Sequence, residues 1–260
     1  MTDTENLLRP TRLLDFHCPE IRDLVAARGW EKLDECGRIG AAYDFVRNEI
    51  AFGYNRADDI PASAVLGDGY GQCNTKGTLL MALLRVLGIP CRLHGFTIHK
   101  ELQRGVVPDP VYPIAPREIL HSWVEVRFAG RWIDLEGFIL DRAFLSALQR
   151  AFPDAEGLCG YGAGTACLSA PPVEWQGNDT YIQSTGIARD FGVFDSPDAF
   201  YAAHRQQFGP LRELLYRGFI RHWMNARVRA IRAGRPSLAQ VPSRDAGQGG
   251  RKGRKPPETP

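Results

Sequence analysis

The sequence predicts an α+β fold in which a cysteine opens an apolar helix, an antiparallel sheet packs behind it, and a helical extension follows toward the C-terminus. Three observations carry this. Gly67, Gly69 and Gly71 punctuate a polar turn that delivers Cys73 to the start of the apolar run Thr78-Leu79-Leu80-Met81-Ala82-Leu83-Leu84. Beyond Gly88 the apolar period changes from helical to alternating, through residues 91–98, 119–128 and 131–136. From Pro210 onward Leu211, Leu214, Leu215, Phe219, Trp223, Met224, Val228 and Ile231 fall on one face of a helix reaching about residue 233.

Taken in order, residues 1–18 are irregular, and Pro19 starts a short helix over 19–29 with Ile21, Leu24 and Val25 on one side. Asp34 caps a second helix carrying Ile39, Ala42, Tyr43, Phe45, Val46 and Ile50. A single turn over 62–66 precedes the glycines, and the cysteine helix spans 73–87, ended by Gly88 with Pro90 behind it. The strands at 91–98 and 119–128 are joined by a proline-rich connection too long for a hairpin. Ala129-Gly130 reads as a tight turn into the strand 131–136. A helix follows over 140–152, then a glycine-rich stretch over 157–164 with no assigned form, an ordered loop over 171–195, and a helix capped by Ser196 that ends near residue 204. The expectation is one domain over 1–233, with its core at 36–140 and an extension at 141–233. Residues 234–260 hold mostly Gly, Pro, Ser, Arg and Lys and read as a disordered basic tail.

The 260 residues are 44% hydrophobic and 24% charged, ordinary material for a folded core. No apolar run has membrane-spanning length, and the start lacks a basic stretch followed by an apolar one, so the chain reads as a soluble cytoplasmic protein. Six scattered cysteines do not form a disulfide framework. The net charge of +2 hides an asymmetry: residues 1–204 hold 19 Lys and Arg against 27 Asp and Glu, and residues 205–260 hold 13 against 3. The basic stretch is a candidate surface for an anionic partner, but without interleaved exposed aromatics it does not argue for nucleic acid.

A cysteine at a helix N-terminus is either a packing residue or a nucleophile, since unpaired N–H groups and the helix dipole favour a thiolate there. A nucleophile needs a base, and the base an orienting acid. His121 opens a strand in His121-Ser122-Trp123-Val124-Glu125-Val126, on the face shared with Trp123 and Glu125. If Ala129-Gly130 is a two-residue turn, Phe128 pairs with Arg131, Trp123 lies opposite Glu136, and Glu125 lies opposite Asp134. Glu136 is then the diagonal neighbour of His121, roughly 7 Å away by Cα, and Asp134 lies farther along the strand. Glu136 is the expected acid, with Asp134 as the alternative. A turn of another length would flip the register and separate His121 from Glu136.

Tyr70-Gly71-Gln72-Cys73 with its apolar helix, Gly88-Ile89-Pro90-Cys91-Arg92, and His121 through Val126 with Gly130-Arg131-Trp132 together resemble the core of the transglutaminase-like superfamily. The resemblance covers residues 36–140 and implies a papain-like arrangement, with Cys73 as nucleophile and His121 as base. The family's acid stands four residues after the hairpin Trp, usually as Asp; here that place is Glu136. Asn74 follows the cysteine where animal transglutaminases carry Trp, and no Asp-rich calcium loop is present, so protein crosslinking is not implied.

The expected function is acyl transfer on an amide or ester carbonyl through a Cys73 thioester, with water (peptidase or amidase) or an amine as acceptor. Substrates would be peptides, proteins or small amides and esters. The alternative is a non-catalytic module keeping the fold for binding. The Cys73 N–H, with Gln72 or Tyr70, is the candidate oxyanion stabiliser, and Trp123 a candidate substrate contact. No cofactor and no metal is expected: His94 and His99, an odd separation apart on a strand, point to opposite faces, and Cys159 and Cys167 lack a second ligand pair. Gly162-Ala163-Gly164-Thr165 lacks the Lys of a phosphate loop.

Overall fold

A computed structural model describes residues 3–205 and 209–237. A turn of helix, α1 (Asp3–Asn6), leads to α2 (Pro19–Arg28), which is closed by Gly29 at φ 66°. Asp34 caps α3 (Glu35–Asn48), its side chain accepting the Gly37 N–H at 2.8 Å. The chain then makes β1 (Ala51–Phe52), α4 (Ala62–Asp68), β2 (Tyr70–Gly71) and α5 (Cys73–Val86). β1 and β2 pair in parallel, so the segment just before Cys73 is tied to the end of α3. Asn74 through Arg85 are all buried, because α5 packs against β4 (Glu118–Phe128) as well as α3 and α4. Its apolar residues therefore surround the helix instead of forming a stripe, as expected of a central helix.

The sheet runs in the order β5-β4-β3-β8, antiparallel throughout, with β3 (Cys91–His99), β5 (Arg131–Leu135) and β8 (Ile187–Phe194) around β4. The β4–β5 turn has two residues, Phe128 pairing with Arg131 and Glu125 with Asp134, the register expected from sequence. Ala129 and Gly130 both adopt positive φ, 48° and 80°, as the type I′ turn that suits a twisted hairpin demands. Helix α6 (Arg142–Ala151), capped by Asp141, follows β5. The unassigned glycine-rich stretch is a small hairpin of β6 (Leu158–Gly160) and β7 (Ala163–Thr165), turning through Tyr161 and Gly162.

Two expectations need correction. Residues 171–195 are not loop throughout, since 187–194 form β8. Strand β8 is an edge strand, largely exposed, with register shifts against β3 and Gly192 at φ 80°, so no clean alternation marks it. After α7 (Pro197–Ala203), the C-terminal helical run is α8 (Pro210–Leu215), a π turn over Tyr216–Ile220, and α9 (Arg221–Arg232). Its apolar residues do not share one buried face. Met224, Val228 and Ile231 are buried, whereas Leu211 is 69%, Leu214 68% and Phe219 74% exposed. A π turn holds an extra residue, so a face drawn at 3.6 residues per turn does not continue through it.

Phe96, Ile98, Leu102 and Trp123 form a small apolar cluster, and the larger one runs from Leu13 to Ile231. Helix α9 is fastened to it by polar contacts: the Asn225 side chain accepts the Tyr54 N–H at 2.7 Å and donates to the Tyr54 carbonyl at 3.0 Å, and Arg232 donates to Asp141 and the Phe52 carbonyl. No helix among the described residues is long and apolar enough to cross a membrane. From residue 238 on, the expected basic tail lies outside the described residues.

Candidate active site

Gln72 is extended and turns the chain into α5, its N–H donating to Thr75 Oγ1 at 3.1 Å. Asn55 holds the approach from behind. It donates to Asp68 Oδ2 at 2.8 Å and to the Tyr70 carbonyl at 3.0 Å, and accepts from Thr75 Oγ1 at 2.6 Å. This leaves no room at Gly71, where a Cβ would stand 2.6 Å from Thr75 Oγ1. The Gln72 amide accepts from the Asn55 N–H at 2.9 Å and donates to Asp58 Oδ1 at 2.8 Å.

The helix start is then joined to the strand that carries His121. Asn74, 1% exposed, donates from Nδ2 to the Leu120 carbonyl at 3.1 Å and accepts from Ser122 Oγ at 2.9 Å. Leu120 and Ser122 flank His121, so the residue after the cysteine fixes the backbone on which the imidazole stands.

His121 and Glu136 are both wholly buried, with His121 Nε2 3.5 Å from Glu136 Oε1. That is an ion-pair separation and too long for a hydrogen bond, and neither imidazole nitrogen has a hydrogen-bond partner among the described residues. The other carboxylate oxygen of Glu136 accepts from the backbone N–H groups of Ile182 at 2.9 Å and Gln183 at 2.8 Å. Phe96, paired with His121 across the sheet, packs edge-on against the imidazole with its ring 4.7 Å away. Asp134 lies elsewhere: it accepts the Tyr181 O–H at 2.7 Å, and burial lifts its pKa to about 6 against that hydrogen bond. Of the two carboxylates singled out in the sequence, Glu136 is the one beside His121.

Cys73 opens onto a cavity of about 470 Å³ whose lining includes Asp58, Gln72, Asn74, Tyr201 and Tyr216. Burial pushes the Cys73 thiol well above its ordinary range, Asp58 and Glu136 add to the effect, and hydrogen bonds from the Asn74 and Ser122 backbone N–H groups oppose it. Desolvation and the two carboxylates thus act against the thiolate that the helix end favours. Asp58 is itself raised by burial, with hydrogen bonds from Gln72 and Asn74 working the other way.

Gln72 lines the cavity with one amide N–H committed to Asp58. Tyr70 packs over Gly53, and Trp123 packs with Phe96, Ile98 and Leu102; neither lines the cavity. His94 is held between Glu125 at 2.7 Å and Asp190 at 2.8 Å. Among the described residues no three His, Cys, Asp or Glu side chains gather as a metal site. Asp58, Asn74, Tyr201 and the Ile182–Gln183 amides went unread in the sequence. The one signal was Asn74 itself, a polar residue where the helix turns inward.

No curated protein matches the chain. Among solved structures, one described as "a Putative Cysteine Protease from Cytophaga hutchinsonii" is 19% identical with a TM-score of 0.38, the alignment covering 54% of this chain and 44% of that one. The chain thus spans less than half the length of that structure. The family model of the transglutaminase-like superfamily matches residues 25–137, a segment that contains Cys73, His121 and Glu136 together. Over residues 25–137 the chain is similar to the transglutaminase-like superfamily.

Proposed function

We propose that the protein is a cysteine-dependent acyl-transfer enzyme acting through a Cys73 thioester on an ester or amide carbonyl. The observation that carries this reading is the buried pair His121–Glu136, 3.5 Å apart, with the strand of His121 bridged by Asn74 to the start of the helix that presents Cys73 to the cavity. His121 acts as the general base that takes the Cys73 proton as the sulfur attacks. Glu136, with one oxygen engaged by two amides, stabilises the imidazolium through the other. The proton then returns to the leaving group, and water or an amine resolves the thioester.

The test is Cys73→Ala and His121→Ala against aryl esters and peptide amides, with intact-mass detection of an acyl adduct. Each variant is expected to lose on the order of 10⁴-fold in kcat, and the adduct to map to Cys73 in the unsubstituted protein alone. Undiminished turnover by Cys73→Ala sinks the proposal.

A further inference from the structure

The cavity beside Cys73 is not uniform. Its charged cationic lining residues, Arg56, Arg205, Arg212 and Arg217, are all exposed and stand where solvent reaches them. The buried lining is mostly apolar: Ile98 is 1%, Val107 7%, Leu120 7% and Met224 5% exposed, and the polar Tyr54 hydroxyl and Gln103 side chain in it bond to each other. Ile220, in the π turn, adds to this wall from the C-terminal run. A pocket of this size and chemistry suits an apolar group of several carbons, since burying each methylene against this wall is favourable.

One buried polar group in the lining is unspent. Tyr201, on α7, is 4% exposed, and its hydroxyl has no hydrogen-bond partner among the described residues. A buried hydroxyl without a partner is costly, and one that faces a cavity is accounted for by a ligand that brings the acceptor. Burial, with Asp58 and Cys73 nearby, holds the Tyr201 pKa far above its ordinary value, so it remains an O–H donor at any working pH.

We infer that this cavity is an acyl-binding site in which the Tyr201 hydroxyl donates to the carbonyl oxygen of the substrate and the apolar wall receives a bulky apolar acyl group. The inference rests on Cys73 as nucleophile. When the sulfur bonds to the carbonyl carbon, its proton passes to His121, the C=O π pair moves onto oxygen, and that oxyanion takes the Tyr201 hydrogen bond. Collapse re-forms C=O and breaks the bond to the leaving group, which departs with the proton from His121. Tyr201, Ile220 and Met224 lie beyond the segment that matches the family model, so the C-terminal extension supplies the hydroxyl and part of the apolar wall, while Ile98, Val107 and Leu120 supply the rest.

The experiment uses the full chain and p-nitrophenyl esters from acetyl to decanoyl. kcat/KM is expected to rise on the order of 100-fold from acetyl to octanoyl, and Ile220→Asp to flatten that rise. Tyr201→Phe is expected to lower kcat about 10–100-fold on every ester. It should leave alkylation of Cys73 by iodoacetamide within about twofold, because displacement at a saturated carbon builds no oxyanion. A chain-length profile that is flat in the unsubstituted protein overturns the inference, as does a Tyr201→Phe variant with full kcat or with alkylation lost in parallel. If Cys73 is acylated equally by acetyl and octanoyl esters, the nucleophile stands and the acyl site falls; if Cys73→Ala hydrolyses both, the two fall together.

Discussion

Glu136 has two oxygens with different employment, and that division defines its work. Oε2 is fixed by the Ile182 and Gln183 amides, so the carboxylate cannot swing away and Oε1 stays directed at His121. Asp134 has the residue type usual for the family's acid but faces Tyr181. Glu136→Gln is therefore expected to lower kcat on the order of 100-fold, while Asp134→Asn stays within a few-fold, measured on any ester that the protein turns over. The reverse ranking would return the acid role to Asp134. Glu136 was legible because the two-residue turn fixes the register as far as Val124 and Leu135, and Glu136 is the next residue, although the ladder stops short of the expected Trp123–Glu136 pair. Asp58 and Tyr201 were not legible, since each reaches the Cys73 neighbourhood from a different part of the chain and only three-dimensional packing brings them there; Asn74 stands beside Cys73 on α5, but its bridge to Leu120 and Ser122 shows only in the fold.

At the level of elements, the β4–β5 hairpin sets the register on which the His121–Glu136 geometry depends, and it does so with a residue ill-suited to its place. Ala129 sits at φ 48°, where a Cβ is strained and Asn or Gly is at ease. Ala129→Gly or Ala129→Asn is expected to stabilise the protein by about 0.5–1 kcal/mol, raising Tm by a few degrees without altering kcat. A lower Tm for both would mean that the turn is not limiting. Helices with caps and stops, such as α3 and α5, could be read from sequence almost to the residue because Asp34 and Gly88 are local signals. Strand β8 could not, since an exposed, bulged edge strand carries no period. The C-terminal run misled for a related reason: its apolar residues obey a helical period, but the π turn breaks the face they appear to share.

For the molecule as a whole, α5 carries a second unusual group one turn below its cysteine. Lys76 is entirely buried, and its Nζ donates to the carbonyls of Arg47 at 3.2 Å and Ile139 at 3.0 Å. Burial draws its pKa down to about 7, with Asp141 opposing and Arg232 and Arg47 adding. The folded value lies below the unfolded one, so the unfolded chain holds this proton more tightly. The resulting penalty on the fold is complete below pH 7 and fades as pH rises toward the ordinary lysine value. Stability of the unsubstituted protein relative to Lys76→Met should accordingly climb by about 3 kcal/mol between pH 7 and 10 in urea titrations. Parallel curves for the two proteins would show that Lys76 titrates normally. The fastening of α9 onto Tyr54, Phe52 and Asp141 also has a meaning in time. On a ribosome, Cys73, His121 and Glu136 leave the tunnel roughly a hundred residues ahead of Arg232, on the order of ten seconds at ordinary elongation rates. Throughout that interval Cys73 lacks the part of its cavity lining that Ile220 and Met224 supply, and only the arrival of the C-terminal run completes it.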